Sequence, residues 1–195
     1  MKKVLLLGDS IRMGYQEYVK ELLAGECEVV FSEDNGRFAA YTLWQVNQMM
    51  KTHPDIALVH WNNGYWDMNI EPPMTEPIHP IPEYVNFLRR IVRYIREHGA
   101  DVIFATTTPI LERDTARRMP GVVRDTNYEA GWVTAYNAAA VEVMAELSVP
   151  VNDLYTLCAA HPFAYKCGDL LHLTEEGSRR CAEQVAACIR EKLNT

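Results

Sequence analysis

The sequence lacks any apolar run long enough to cross a bilayer, which takes about 20 residues. Its first apolar run, residues 4–7, follows a basic pair but leads directly into Gly-Asp. A secretory signal needs a longer apolar segment and a cleavage site of small residues. The sequence therefore predicts neither a membrane-spanning helix nor a secretory signal.

Cysteine is present, but not in the arrangements that form disulfide frameworks or bind metals. The five cysteines are odd in number and include no C-x-x-C pair. Together with the absence of a signal, this usage indicates reduced thiols and a cytoplasmic protein. The cysteines are Cys27, Cys158, Cys167, Cys181 and Cys188.

Several common active-site signatures are also missing. The chain has no G-x-S-x-G, no G-x-G-x-x-G and no G-x-x-x-x-G-K-[S/T]. Their absence disfavours the nucleophile elbow of α/β-hydrolases and the binding of dinucleotides or nucleoside triphosphates. No H-x-x-x-H or cysteine–histidine cluster indicates a metal. The net charge of -7, without a stripe of Lys and Arg, argues against a nucleic-acid partner.

What the sequence does have is an alternation of short apolar runs with longer amphipathic segments. The apolar runs predict strands at 4–7, 27–31, 56–61, 102–106 and 149–151. The amphipathic segments predict helices at 10–23, 43–51, 83–98, 129–147 and 175–193. This order predicts an α/β fold: one domain over residues 1–195, a three-layer α/β/α sandwich around a parallel sheet of about five strands in flavodoxin-like order.

Two long irregular stretches follow predicted strands. Residues 70–82 hold five of the ten prolines, and residues 109–128 precede the fourth helix. Both should lie at the carboxyl edge of the sheet, where open α/β folds bind ligands. Long loops in a compact domain are more often functional than idle. We expect them to form walls or a lid of a pocket, or a subunit interface.

Gly8-Asp9-Ser10 lies where the first strand ends and the first helix begins. A serine there places its hydroxyl at the sheet edge, beside the free N–H groups of the helix. The same position suits a plain helix N-cap, for which Ser and Asp are preferred. The tripeptide alone favours the cap.

A serine nucleophile needs a base, and the base needs an orienting group. Of the six histidines, His172 stands out because Asp169 precedes it by three residues in the loop entering the last helix. That spacing lets the carboxylate reach Nδ1 and leaves Nε2 for a serine. His60 suits a hydrogen-bonded role in the core or a pocket. The remaining histidines suit structural or solvated roles: His53, His79, His98 and His161.

The third strand ends in His60-Trp61-Asn62-Asn63-Gly64-Tyr65-Trp66-Asp67. An amide side chain at the sheet edge can donate to the oxyanion that develops in acyl transfer. The two asparagines equally suit a turn, because Asn-Gly is a common turn signal. Beside the serine and histidine, the pattern favours a functional role.

These blocks resemble the SGNH or GDSL hydrolase superfamily over nearly the whole chain. Gly8-Asp9-Ser10 matches the family's first block, and Asp169 with His172 matches its last, D-x-x-H. The second block, N-x-G-x-x-G-x-T, corresponds to residues 35–42, with Arg37 and Ala40 at its two glycine positions. The third block is similar to a subgroup pattern, H-[W/F]-N-x-G-L-[H/W]-D, in which Asn62, rather than Asn63, corresponds to the retained asparagine.

The resemblance implies an SGNH hydrolase fold and ester hydrolysis through an acyl-enzyme, without a cofactor or a metal. Ser10 would be the nucleophile, His172 the base and Asp169 its orienting group. The oxyanion would lie between the N–H groups of Ser10 and Ala40 and the side chain of Asn62.

The substrate is less well specified by the sequence. Residues flanking the expected site are candidates for substrate binding: Asp9, Asn63, Arg37, Trp61, Tyr65 and Trp66, with Arg12 and Tyr41 nearby. Aromatic faces often bind sugars, which favours a small acyl group such as acetyl on a carbohydrate-like alcohol. Lysophospholipase or thioesterase activity is the alternative within the superfamily. A non-catalytic SGNH-fold module that binds an ester or sugar is the alternative from another class.

Overall fold

A computed structural model describes residues 1–111 and 130–194 of the chain. Its strands are β1 (Lys3–Leu7), β2 (Glu28–Phe31), β3 (Ile56–Trp61), β4 (Asp101–Ala105) and β5 (Val151–Asn152). Its helices are α1 (Ser10–Leu22), α2 (Ala39–Thr52), α3 (Tyr65–Met68), α4 (Ile81–Glu97), α5 (Ala130–Glu146), α6 (Leu154–Ala159), α7 (Pro162–Tyr165) and α8 (Glu175–Leu193). Most of the predicted loop 109–128 lies outside the described residues.

The strands form one parallel sheet in the order β2-β1-β3-β4-β5. Leu5 pairs with Val30 on one side and with Val59 on the other, so β1 lies inside the sheet. The order reverses at β1 and β3, which is the topological switch point where open α/β sheets bind ligands. The predicted α/β/α fold with a flavodoxin-like parallel sheet is confirmed.

The strands are apolar along their whole length because helices cover both faces of the sheet. The side chains of successive residues Val4 to Leu7 point to alternate faces, and all are fully buried. Helices α1 and α8 pack against each other, while α2 packs on α4 and α4 on α5. Because helices cover both faces of the sheet, polar side chains collect at the ends of the strands.

Helix α4 shows why the amphipathic segments can be predicted from the sequence. Its buried residues are Tyr84, Leu88, Ile91, Val92 and Ile95, which share one helical face. Gly99, at φ +80°, follows the end of the helix in the left-handed conformation that glycine adopts most readily.

The structure departs from the predicted boundaries where tertiary contacts decide them. Helix α2 begins at Ala39 rather than at residue 43, because a side chain from a distant segment accepts its first N–H, as described below. Strand β5 is Val151–Asn152 rather than residues 149–151. The short helices α3, α6 and α7 were not predicted, because one or two turns carry no readable period.

Within the described ranges, no helix is both long enough and apolar enough to cross a membrane.

Candidate active site

Ser10 is the first residue of α1, directly after the turn that ends β1. The helix is capped by Asp9, whose side chain accepts the N–H of Ile11 at 3.0 Å. The sequence offers Ser10 two roles, nucleophile or helix cap; the prediction that Ser10 is the cap is wrong, because the cap is Asp9. Because Asp9 caps the helix, the Ser10 hydroxyl is free for another partner.

That partner is His172. Ser10 Oγ lies 2.8 Å from His172 Nε2, and His172 Nδ1 lies 2.5 Å from Asp169 Oδ2. The side chains of His172 and Asp169 are 47 % and 43 % exposed, which leaves the row open to a ligand. The structure thus brings together three side chains in the order hydroxyl, imidazole and carboxylate that nucleophilic catalysis requires.

Asp169 is organised by the loop that carries it. Its Oδ1 accepts the backbone N–H groups of Leu171 and His172 at 3.0 and 2.9 Å. Partial burial opposes ionisation, but these bonds and the one from the His172 ring hold the pKa of Asp169 below its ordinary value. Asp169 is therefore a carboxylate at neutral pH, suited to orient an imidazole and to stabilise its charged form.

A buried lysine supports this loop from beneath. Lys166 is 2 % exposed, and its Nζ donates to the carbonyl of Leu171 at 2.6 Å and to Thr108 Oγ1 at 2.7 Å. Burial lowers the pKa of Lys166 to about 8. No sequence pattern predicts this role, because the fold, and not the local spacing of residues, buries Lys166.

The N–H groups of Ser10 and Ala40 both belong to first turns of helices, of α1 and α2. Among residues 1–111 and 130–194, neither N–H has a hydrogen-bond acceptor. The two turns are joined where Gly36 N–H donates to the Gly8 carbonyl at 2.8 Å. A Cβ on Gly36 would lie 2.6 Å from that carbonyl oxygen, so only glycine permits this approach.

Asn62 joins the same group. Its Nδ2 donates to Asp9 Oδ1 at 3.0 Å, which fixes the amide beside the helix cap and uses one of its two N–H bonds. A Cβ on Gly8 would lie 2.0 Å from Asn62 Oδ1, so glycine at this position makes room for the amide. Burial raises the pKa of Asp9, against the opposing hydrogen bonds from Asn62 and Ile11.

Asn63 is committed elsewhere. Its Nδ2 donates to the Arg37 carbonyl at 3.0 Å and to Thr42 Oγ1 at 2.9 Å, and its Oδ1 accepts the indole N–H of Trp61 at 3.1 Å. With both N–H bonds used and no exposure, Asn63 ties β3 to the start of α2. The free N–H that an oxyanion donor needs is present on Asn62 and absent on Asn63.

Four of the six candidate substrate-binding side chains are buried, which corrects the expectation that they face a ligand. Asp9, Asn63 and Trp61 are fully covered, and Tyr65 is 2 % exposed, with its hydroxyl donating to the Thr108 carbonyl at 2.5 Å. Trp61 is the last residue of β3 and is fully buried there, against Phe104. Arg37 and Trp66 remain partly exposed.

Arg12, which the sequence places near the substrate-binding candidates, is not accessible to a ligand. Its guanidinium is fully buried and donates to the carbonyls of Ser32 and Asp34 at 2.8 and 2.9 Å. Arg12 thus holds the segment between β2 and α2 in place. Arg37 instead lies over the ring of Tyr41, 4.5 Å from its centroid, and pairs with Asp34.

His60 lies in the core, one of the two settings expected for it. Its Nε2 lies 3.1 Å from Asn152 Nδ2, and burial lowers its pKa to about 3. His60 is therefore neutral at physiological pH and does not contact the row formed by Ser10, His172 and Asp169.

Sequence reasoning missed a second aspartate–histidine pair. His79 Nδ1 lies 2.7 Å from Asp67 Oδ1, and both side chains are buried. His79 lies in the predicted loop 70–82, where its position among prolines suggested a structural or solvated residue. No local spacing links it to Asp67, twelve residues earlier.

Among the described residues, no group of three or more His, Cys, Asp or Glu side chains is arranged to hold a metal ion.

Comparison with known proteins shows the family to which the chain belongs. The profile of the GDSL-like lipase/acylhydrolase family matches residues 6–180, which include Ser10, Asp169 and His172. The chain belongs to the GDSL-like lipase/acylhydrolase family. It is accordingly a GDSL-type acylhydrolase, a carboxylic ester hydrolase. A search of curated proteins finds no match to the chain.

Solved structures share the fold of this GDSL-type acylhydrolase. The psychrotrophic esterase EstA from Pseudoalteromonas sp. is 12 % identical, with a TM-score of 0.74 and full coverage of both chains. The aryl esterase of M. smegmatis is 14 % identical, with a TM-score of 0.73 over 98 % of this chain and 99 % of the other. A GDSL-like lipase from Bacteroides thetaiotaomicron is 15 % identical, with a TM-score of 0.71 over 98 % and 89 %.

Proposed function

We propose that the protein is a serine esterase that hydrolyses a small acyl ester through a Ser10–His172–Asp169 triad and an acyl-enzyme. The observation that carries this proposal is the 2.8 Å approach of Ser10 Oγ to His172 Nε2, with Asp169 Oδ2 at 2.5 Å from His172 Nδ1. A hydroxyl is a weak nucleophile until a positioned base accepts its proton, and this row supplies the base and its orienting group.

In the first half-reaction, Ser10 Oγ attacks the ester carbonyl carbon while His172 Nε2 takes the hydroxyl proton. The tetrahedral intermediate collapses as His172 returns that proton to the departing alcohol. Water then attacks the acyl-enzyme, giving a proton to His172, which passes it to Ser10 as the acid leaves. Asp169 stays ionised throughout and stabilises the imidazolium.

The negative charge on the carbonyl oxygen needs donors that are already in place. The N–H groups of Ser10 and Ala40 and the free N–H of Asn62 Nδ2 are the three we assign to it. The first two lack acceptors in the described residues, and Asp9 fixes the amide of the third. Alanine in place of the family's glycine leaves the backbone N–H available at position 40.

A small acyl group, with acetyl as the leading candidate, fits the openness of the site. His172 and Asp169 are each nearly half exposed, so the scissile bond would be reached from solvent. The partly exposed Trp66 and the pair of Arg37 over Tyr41 offer surfaces on which a carbohydrate-like alcohol could rest. Lysophospholipase or thioesterase activity remains the competing assignment.

We infer that the partner is a small-molecule ester, with no role for nucleic acid or membrane, and that no cofactor or metal takes part. The net charge of -7 and the chemistry of the triad support this. A cytoplasmic location stays a prediction, consistent with five free cysteines.

Turnover of p-nitrophenyl acetate by the wild type and by Ser10→Ala tests the proposal. Ser178→Ala, a second serine near the start of a helix, serves as the control. We expect hydrolysis by the wild type and the control and none above background with Ser10→Ala. Equal turnover by Ser10→Ala would reject the nucleophile, and an inactive wild type would favour a non-catalytic binding module.

A series of p-nitrophenyl esters of increasing chain length addresses the acyl group. We expect kcat/KM to be highest for acetate and to fall as the chain lengthens. Faster turnover of long chains would instead support a lysophospholipase or thioesterase.

A further inference from the structure

The buried Asp67 and His79 lie behind the first turn of α2, the turn that presents the N–H of Ala40. We propose that Asp67 and His79 are a positioning pair that fixes this turn and thereby aims the Ala40 N–H at the oxyanion. This inference rests on the proposed function, because it assigns a supporting role to residues that do not touch the substrate.

The contact between the pair and the helix is direct. Asp67 Oδ1 accepts the N–H of Ala39 at 2.8 Å and lies 2.7 Å from His79 Nδ1. Ala39 is the first residue of α2 and the neighbour of Ala40 in the chain. A shift of Asp67 would therefore move the peptide that carries the proposed donor.

Among the residues that the structure describes, no other side chain accepts an N–H of the first turn of α2. Phe38, at the N-cap position, makes no capping hydrogen bond. Most helices satisfy their first N–H groups with a local Ser, Thr, Asp or Asn. Here a carboxylate twenty-eight residues along the chain replaces the local cap, so the position of α2 depends on the segment after β3.

The hydrogen bond from His79 offsets part of the cost of burying the Asp67 carboxyl group. Asp67 is fully buried, and burial raises its pKa, while the hydrogen bonds from His79 and Ala39 oppose that rise. Asp9 adds a second negative charge, and Tyr84 and Tyr136 are the other titratable groups that face the pair. Without His79, the buried carboxyl group would lose one of its two hydrogen-bond donors and would be free to turn away from Ala39.

His79 is itself held from every side. Its N–H donates to the Asp67 carbonyl at 2.9 Å, and its carbonyl accepts the Tyr136 hydroxyl at 2.7 Å. Its ring packs edge-on against Phe38 at 5.3 Å and tilted against Phe87 at 4.9 Å. The imidazole thus has one orientation, which is what a positioning group requires.

The test compares His79→Leu with His79→Asn, because Asn Nδ2 can take the place of the ring Nδ1–H while Leu cannot. With p-nitrophenyl acetate, we expect His79→Leu to lower kcat by about 10- to 100-fold with little change in KM, since a displacement of about 1 Å in a catalytic group has effects of this size. His79→Asn should recover most of the activity. His98→Leu, which removes an exposed histidine, should match the wild type.

Hydrogen exchange of the backbone amides in residues 36–46 separates this proposal from the proposed function. We expect faster exchange in folded His79→Leu than in the wild type or His79→Asn, whether or not the protein hydrolyses the ester. Unchanged kcat and exchange in folded His79→Leu would overturn the positioning role. Equal impairment of the Asn and Leu variants would also overturn it. Should His79→Leu fail to fold, Asp67→Leu and Asp67→Asn provide the same comparison, because the Asn Oδ1 can still accept the Ala39 N–H while Leu cannot.

Discussion

The two aspartate–histidine pairs of this acylhydrolase make the same Nδ1–carboxylate contact in opposite surroundings. In the surface pair, the side chains of His172 and Asp169 are 47 % and 43 % exposed and stand three residues apart. In the buried pair, those of His79 and Asp67 are 9 % and 0 % exposed and stand twelve residues apart.

The two imidazoles differ in the groups that they contact away from their aspartates. His172 presents Nε2 to the Ser10 hydroxyl at 2.8 Å, where protons can pass to a substrate and to water. His79 is enclosed by the rings of Phe38 and Phe87 and touches no nucleophile among the described residues. We therefore propose that the same contact serves proton transfer at the surface and fixes the backbone in the interior.

The largest expected effect is the loss of activity on removing the imidazole of the surface pair. His172→Ala should lower kcat for p-nitrophenyl acetate by roughly 10⁴-fold, because it removes the only group that can accept the serine proton in this row. His98→Ala is the control and should leave the rate unchanged. If His172→Ala kept more than a tenth of the activity, the surface pair would have no catalytic role.

The next effect concerns the two adjacent asparagines. Asn62→Ala should lower kcat by about 10²–10³-fold with a small change in KM, as expected for the loss of one oxyanion donor. Asn63→Ala should instead lower the melting temperature, since it breaks the hydrogen bonds to Arg37, Thr42 and Trp61. Steady-state kinetics and thermal unfolding of both variants check the assignment, and the reverse pattern would exchange the two roles.

The third effect is the pH dependence of folding stability that the buried Lys166, which supports the loop of the surface pair, should produce. Its pKa is lowered by burial from 10.5 to about 8, so the unfolded chain holds this proton more tightly than the folded one. The stability of the wild type relative to Lys166→Met should therefore rise between pH 8 and 10.5, by on the order of 3 kcal/mol.

Urea unfolding of both proteins across this range measures the difference. Lys51→Met, at an exposed lysine, should show no such pH dependence relative to the wild type. A stability difference between the wild type and Lys166→Met that stays constant with pH would show that the buried ammonium does not titrate as described.

The smallest effect concerns the helix that follows the surface pair. Thr174 caps α8 by accepting the Gly177 N–H at 3.0 Å, and its hydroxyl donates to the Ala164 carbonyl at 2.7 Å. Thr174→Ala should cost about 1 kcal/mol of stability while changing kcat less than threefold. Thr52→Ala, at the exposed end of α2, is the matched control. A large loss of kcat would mean that this cap, rather than Lys166, holds the loop.

The surface pair was readable from sequence because its chemistry is local. Asp169 and His172 are spaced for one hydrogen bond, and Thr174 marks the helix that follows. The strands were readable for the same reason, since residues 4–7 and 56–61 are apolar runs bounded by turns. Both signals survive in a single sequence without knowledge of the fold.

The buried pair and its surroundings were not readable, because they depend on contacts between distant segments. Nothing near Ala39 indicates that Asp67 will accept its N–H, so the start of α2 was placed too late. Trp61 and Tyr65 looked like a binding surface until the sheet and Thr108 covered them. The burial of Arg12 and Lys166 depends on hydrogen bonds to backbone carbonyls that no local pattern predicts.

The central claim is that Ser10 is the nucleophile activated by the surface pair. Its most direct test is incubation of the folded protein with a fluorophosphonate, followed by intact-mass measurement and peptide mapping. We expect a single adduct per chain, located on Ser10, with labelling strongly slowed in His172→Ala and absent in Ser10→Ala. An unlabelled wild type, or an adduct on any other residue, would contradict it.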